Sequence, residues 1–445
     1  MRPSSAAVLA VALAGCETRP PRSIAAACVV LPARALEWQS ADTIGPHVGS
    51  MCVPPELGIF ARELEERGIV VGETSCDLAL TVSFAASPDV PVDWSAHPDG
   101  FAWAVTGTTV EIAARTLRGA HYAAHAIVSS IAALPTRAAD WPRFATRGVI
   151  EGFYNRYSTV QERAFTLSLM HQLAENTYLY SPKGDPYVGL EWRELYAGQA
   201  AADIRAAAGL ADTLDIDFVF GIAPTLATTN GDPTTSIRFS SEVDHGALRD
   251  KLAGMHALGV SRFGIQFDDA AGELYWAEDR AKYATLAEAH AALANRLVAE
   301  LDAPLLFVGT AYNSASPAWH AYNIELGQRL DPRIQVMWTG PVTFSPTIGP
   351  DDLVDIDLAL GRQVVLWDNW QEAAMPVTGR DPLLYTGTQA LLTNATLVGD
   401  FGNPVHDFWK VLGPLADYAW APEHYDADVD YAGWQPRLAQ LEGCH

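Results

Sequence analysis

Along residues 24–140, apolar and polar positions alternate with a period of two in LALTVSFAA (78–86) and TTVEIAA (108–114), which predicts half-buried strands. ELGIFARELEERG (56–68) spaces its apolar residues along one helical face and stops at Gly68. GAHYAAHAIVSSIAALP (119–135) predicts a second helix, ended by Pro135. The Pro-rich SPDVPVDWSAHPDG (87–100) reads as a loop between strands. The segment 24–140 thus predicts a small mixed α/β domain.

The pattern changes near Arg147. Eight short apolar runs follow: GVIEGFY, NTYLYSPK, DFVFGIAP, RFGIQFDD, PLLFVGTAYN, IQVMWTGP, QVVLWDNW and ATLVGDFG. Helical patterns lie between most of them, among them TVQERAFTLSLMHQLAE, DHGALRDKLAGMHALG and WAEDRAKYATLAEAHAALANRLVAEL. Repeated strand-then-helix units predict parallel strands covered by helices, and eight units predict a (β/α)8 barrel over 145–402. The runs end in polar or aromatic residues: Glu151 to Tyr154, Lys183, Asp268 with Asp269, Tyr312, Trp338, and Asp368 with Asn369. Taken singly, such a residue caps a helix or satisfies a loop. Together, at the C-terminal ends of barrel strands, they predict one shared site.

Charge narrows the ligand. The chain carries 29 basic and 53 acidic residues, a net charge of −24. Nucleic acid and anionic lipid need clustered Lys and Arg, so neither is an expected partner; neutral substrates remain. No G-x-S-x-G, H-E-x-x-H or P-loop occurs, which leaves serine-hydrolase, zincin and NTPase chemistry without support. At the start, Arg2 precedes an apolar stretch, Ala6 to Ala14, too short to span a bilayer. Residues 1–16 read as an export signal, and Leu13-Ala14-Gly15-Cys16 resembles a bacterial lipobox with Cys16 as the lipidated residue. The expected location is lipid-anchored at a bacterial membrane or surface, otherwise periplasmic or secreted. The competing reading is an ordinary cleaved signal with an incidental cysteine. Cys28, Cys52, Cys76 and Cys444 form no CxxC pair, so no metal is expected from them. Oxidation allows three pairings, of which Cys52 with Cys76 is favoured.

The motifs RGVIEGFYNR, NTYLYSPKGDPYVGLEWRELY, FDD, MWTGP, LWDNW and LLTN occur in this order. Together they resemble glycoside hydrolase family 84, the β-N-acetylglucosaminidases that include protein O-GlcNAcases. The resemblance spans about Arg147 to Gly402. The α/β unit before it is similar to the N-terminal domain of bacterial members, and ADYAWAPEHYDAD to the helical segment after their barrel, here 403–445.

The resemblance implies a retaining hydrolase acting on terminal β-linked GlcNAc, with no cofactor. Some retaining glycosidases use the substrate's own 2-acetamido group as nucleophile. One carboxylate then orients the acetamide and another protonates the leaving oxygen and later activates water. By resemblance, Asp268 orients the acetamide and Asp269 is the general acid/base. Gly152, Lys183, Tyr312, Trp338, Trp367, Asn369 and Asn394 match substrate-binding positions: Lys183 and Tyr312 near the acetamide, Trp367 and Trp338 as its walls, Asn369 and Asn394 on sugar hydroxyls. Plain core packing competes for each tryptophan. Family members carry an aspartate for O4 and O6 several residues beyond the WDN match; here Thr378 or Gly379 falls there, leaving Asp381 or Glu372 as substitutes. Rival readings are a hexosaminidase for hyaluronan, chitin or peptidoglycan fragments, and a barrel that binds GlcNAc without cleaving it.

Overall fold

The computed structural model describes residues 36–45, 48–66, 68–85, 88–154, 156–369, 380–388, 390–394 and 408–426. The leader with Cys16, together with Cys28, Cys444, Glu372 and Asn155, lies outside the described residues.

A closed barrel of eight parallel strands forms the centre. Its strands are Thr146–Glu151, Thr177–Tyr180, Asp217–Ile222, Arg262–Gln266, Leu305–Val308, Ile334–Trp338, Val365–Asp368 and Ala390–Thr393. Each pairs in parallel with its neighbours, and the last closes on the first through Arg147 opposite Leu391. The barrel expected from the apolar runs is therefore present. The eighth strand is a correction: it is ALLT at Ala390–Thr393, with LLTN at its end, and the ATLVGDFG run lies outside the described residues.

Strand pleating sorts the side chains into two cores. Ile150, Leu179, Val219, Leu306, Val308, Met337, Val365, Trp367, Ala390 and Leu392 fill the barrel interior. Their strand neighbours, such as Val149, Tyr178, Phe218, Ile265 and Leu366, pack outward against the helices. The helix Val160–Gln172 starts in a reciprocal cap, in which Thr159 accepts from Glu162 N–H and Glu162 accepts from Thr159 N–H. The single helix expected over 276–301 is two, Ala277–Lys282 and Leu286–Leu301, because Thr285 caps the second by accepting from Glu288 N–H.

Before the barrel lies a seven-stranded mixed sheet. Helices Gly58–Glu66 and Leu117–Ser129 accompany it, and a disulfide joins Cys52 to Cys76. Arg147 fastens this domain to the barrel. Its side chain is 1% exposed, reaches Asp99 at 3.1 Å and donates to Ala174 O at 2.7 Å. Its guanidinium stacks on Tyr122 and on Trp420. Trp420 ends the helix Phe408–Trp420 and donates to Asp140.

Candidate active site

The fourth strand explains how adjacent aspartates reach one site. Phe263, Ile265 and Phe267 point outward into the helical layer. Gly264 and Gln266 therefore point inward. A Cβ on Gly221, on the neighbouring strand, would lie 2.9 Å from Ser181 Cβ and 3.2 Å from Gln266 Nε2. Glycine there leaves room for Ser181 Oγ to donate to Gln266 Oε1 at 2.6 Å. Asp268 and Asp269 both lie beyond the strand end at Gln266, in the turn that follows, where the alternation no longer applies and the partners of each carboxylate show where it points.

The two carboxylates have different partners. Lys183 Nζ donates to Asp268 Oδ1 at 2.9 Å and to Gln266 Oε1 at 3.0 Å, and both ends of the Lys183–Asp268 pair are buried. Asp269 Oδ2 instead accepts from the Tyr154 hydroxyl at 2.7 Å. Asn230 Nδ2 donates to that hydroxyl at 3.3 Å, and Thr229 Oγ1 donates to the Asp269 carbonyl. Burial, then the charge of Asp268, pushes the Asp269 carboxyl above its ordinary range, while Lys183 and the Tyr154 hydrogen bond oppose the shift. One carboxylate is thus gripped by an ammonium and its neighbour is held toward the protonated form.

A second group stands on the fifth, seventh and eighth strand ends. Tyr312 and Trp367 stack with ring centroids 5.8 Å apart. Trp367 Nε1 donates to Asn394 Oδ1 at 2.9 Å, Asn394 Nδ2 donates to Asn369 Oδ1, and Asn369 Nδ2 donates to Thr343 O at 3.1 Å. Burial pushes the Tyr312 phenol up to about 12, and the charges of Asp269 and Asp268 reach it too. Tyr312 therefore stays a hydroxyl donor at neutral pH. Gly152 is half-buried at the first strand's end, two residues past the inward Ile150.

Three expected rim residues face the other way. Trp338 is 1% exposed and packs with Ile334 and Val336 in the outer layer, whereas Met337 takes the interior place. The structure therefore sets Trp338 in the core rather than beside Trp367, because the pleat turns it outward. Glu151 faces out to Arg163, which donates to it at 2.9 and 3.1 Å. Asp368 faces out to Arg380, at 2.9 and 2.6 Å. Asp381 caps a turn by accepting from Leu383 N–H at 2.8 Å, and its carbonyl accepts from the outer-layer Tyr418. Tyr154 is the residue that sequence reasoning left without a role. Its place in EGFY, at a strand end, was the available signal.

Paired carboxylates, a lysine and stacked aromatic rings stand on one barrel rim, an arrangement that suits glycoside hydrolase chemistry. A family model described as β-N-acetylglucosaminidase matches residues 147–443. The rat protein O-GlcNAcase is 29% identical over 277 residues, 59% of this chain and 29% of that protein. The mouse protein O-GlcNAcase is 28% identical over 261 residues, 56% of this chain and 27% of that protein. The match thus spans less than a third of these relatives' length. A solved mutant of the Thermobaculum terrenum O-GlcNAc hydrolase aligns with a TM-score of 0.59 at 29% identity, over 68% of this chain and 65% of that one. The structure of CpGH84B aligns with a TM-score of 0.73 over 91% of this chain and 73% of that one; at 20% identity this is a likeness of fold alone. The chain belongs to the β-N-acetylglucosaminidase family, glycoside hydrolase family 84.

Proposed function

We propose that this protein is a retaining exo-β-N-acetylglucosaminidase that removes terminal β-linked GlcNAc by substrate-assisted catalysis. The observation that carries the reading is the split environment of the aspartate pair: Lys183 on Asp268, Tyr154 on Asp269. In the first step the acetamide oxygen attacks the anomeric carbon. Asp268 accepts the acetamide N–H and polarises the amide, and Lys183 fixes the carboxylate that does so. Asp269, held toward its protonated form, gives its proton to the leaving oxygen. The product of that step is an oxazoline. Asp269, now a carboxylate, takes a proton from water as the water opens the ring. Tyr312 donates to the acetamide oxygen, Trp367 walls the acetyl group, and Gly152, Asn369 and Asn394 meet sugar hydroxyls. No step requires a cofactor.

The substrate we favour is a protein-linked GlcNAc, with the protein's hydroxyl as leaving group, since the curated relatives are protein O-GlcNAcases. Glycan ends are the alternative, and rates on an O-GlcNAc peptide, chitobiose and hyaluronan oligomers rank them. We also propose export and lipidation at Cys16, which Cys16→Ser tests by moving the protein from the membrane to the soluble fraction. The primary test is turnover of 4-nitrophenyl β-N-acetylglucosaminide followed by NMR. The β-anomer of GlcNAc should appear first; no turnover, or the α-anomer first, contradicts the proposal.

A further inference from the structure

Away from the rim, another set of titratable groups meets where the N-terminal domain packs on the barrel. Glu63 comes from the helix Gly58–Glu66, His125 from Leu117–Ser129 and His171 from the last turn of Val160–Gln172. One ligand-capable atom of each lies within 4.8 Å of the other two. His125 Nε2 is 2.8 Å from Glu63 Oε2, and His171 Nε2 is 3.5 Å from Glu63 Oε1. The two imidazole rings stand edge to face with centroids 5.2 Å apart.

The partner of His171 fixes its tautomer. Its Nδ1 lies 2.9 Å from the Leu214 carbonyl oxygen, which can only accept, so the proton sits on Nδ1. Nε2 is then a bare lone pair unless the ring carries a charge. The side chain is 2% exposed. With the proton on Nδ1, Nε2 has no hydrogen-bond partner among the described residues and stands 3.5 Å from a carboxylate oxygen of Glu63. Two lone pairs facing each other in a buried seam repel, and a cation between them removes the repulsion. A ring that donates one N–H to a backbone carbonyl and leaves the other nitrogen bare has the arrangement of a metal-bound histidine. The neighbouring His121 does not share the role: its Nδ1 lies 2.5 Å from Asp215 Oδ2.

We propose that Glu63, His125 and His171 bind a divalent transition-metal ion, Zn2+ by ligand chemistry, as a clamp between the N-terminal domain and the barrel. Two imidazoles and one carboxylate are a zinc donor set, and water can complete the coordination. The ligands sit on helices that carry none of the rim residues, so the ion is structural. Two of those helices belong to the N-terminal domain and the third to the barrel, so binding opposes separation of the two.

The test uses the 445-residue chain, purified without a histidine tag and stripped of metal with dipicolinate. On titration with Zn2+, the wild type should retain one equivalent through gel filtration. Its Tm should rise by about 3 °C at free Zn2+ a hundredfold above the Kd. His171→Gln and His125→Gln should each weaken binding by at least about tenfold, as loss of a ligand requires, and abolish the rise. Should those variants not fold, Co2+ added to the wild type decides: intense visible bands of a four- or five-coordinate site support the clamp. The spectrum of fully hydrated Co2+, a Tm indifferent to Zn2+, or undiminished binding by a folded His171→Gln overturns it.

Discussion

The ends of the fourth and seventh barrel strands look alike in sequence, FDD against WDN, and fold differently. On the seventh, Trp367 and Asn369 face inward, and Asp368 between them faces outward into the grip of Arg380. On the fourth, Phe267 takes the outward place and Asp268 the inward one. Asp268 and Asp269 both lie in the turn after the strand, which frees Asp269 from the outward place that strict alternation would give it. The first strand repeats the seventh, with Glu151 outward on Arg163. An acidic residue at a strand end is therefore ambiguous until the pleat is known. Facing outward, it needs a buried cation for stability; facing inward, it is available for chemistry.

Four substitutions test that contrast. Asp268→Ala should lower kcat/KM about a thousandfold on aryl and alkyl glycosides alike, because it disables the nucleophile's orientation. Steady-state kinetics on both substrates check this, and a large loss on only one of them contradicts it. Asp269→Asn should cost about a hundredfold or more on an alkyl glycoside or glycopeptide and far less on a nitrophenyl glycoside, whose leaving group needs little protonation. Equal losses would remove Asp269 from the acid role.

Asp368→Ala should act on stability instead, by about 3–5 kcal/mol, since it takes away the carboxylate that a buried Arg380 grips. Denaturant unfolding measures the loss, and the ratio of rates on the two leaving groups should not move. The smallest effect is expected of Tyr154→Phe. The hydroxyl holds the Asp269 pKa down against burial and Asp268. Without it that pKa rises further, Asp269 stays protonated to higher pH, and the alkaline limb of kcat/KM should shift upward. A pH–rate profile reads the shift, and a limb that stays put or moves down contradicts the role.

Much of this was legible in the chain. The short apolar runs separated by helical patterns gave the barrel, because a strand buried on both sides has a simple signature. Asp268, Asp269, Lys183, Tyr312, Trp367, Asn369 and Asn394 came from short motifs, and the structure gathers them into two hydrogen-bonded or stacked groups on one rim. Trp338, Glu151 and Asp368 were misplaced for a single reason: a motif records neighbours in sequence, and the pleat sends neighbours to opposite faces. The eighth strand was misplaced because ATLVGDFG is the longer apolar run, while ALLT is selected by pairing with strands on both sides. The break at Thr285 fell inside an apolar pattern that continues on either side. The Glu63–His125–His171 cluster was invisible, since its members are far apart in sequence and meet only when the domains pack. The cysteine spacing that argued against a metal says nothing of such a set.

The central claim is that the acetamide of the substrate, rather than an enzyme carboxylate, attacks the anomeric carbon. It is tested most directly with a series of aryl glycosides whose N-acetyl group carries zero, one, two and three fluorines. Each fluorine withdraws electron density from the attacking oxygen, so kcat/KM should fall progressively along the series. Rates indifferent to fluorination while glycosidic cleavage is rate-limiting would contradict the account.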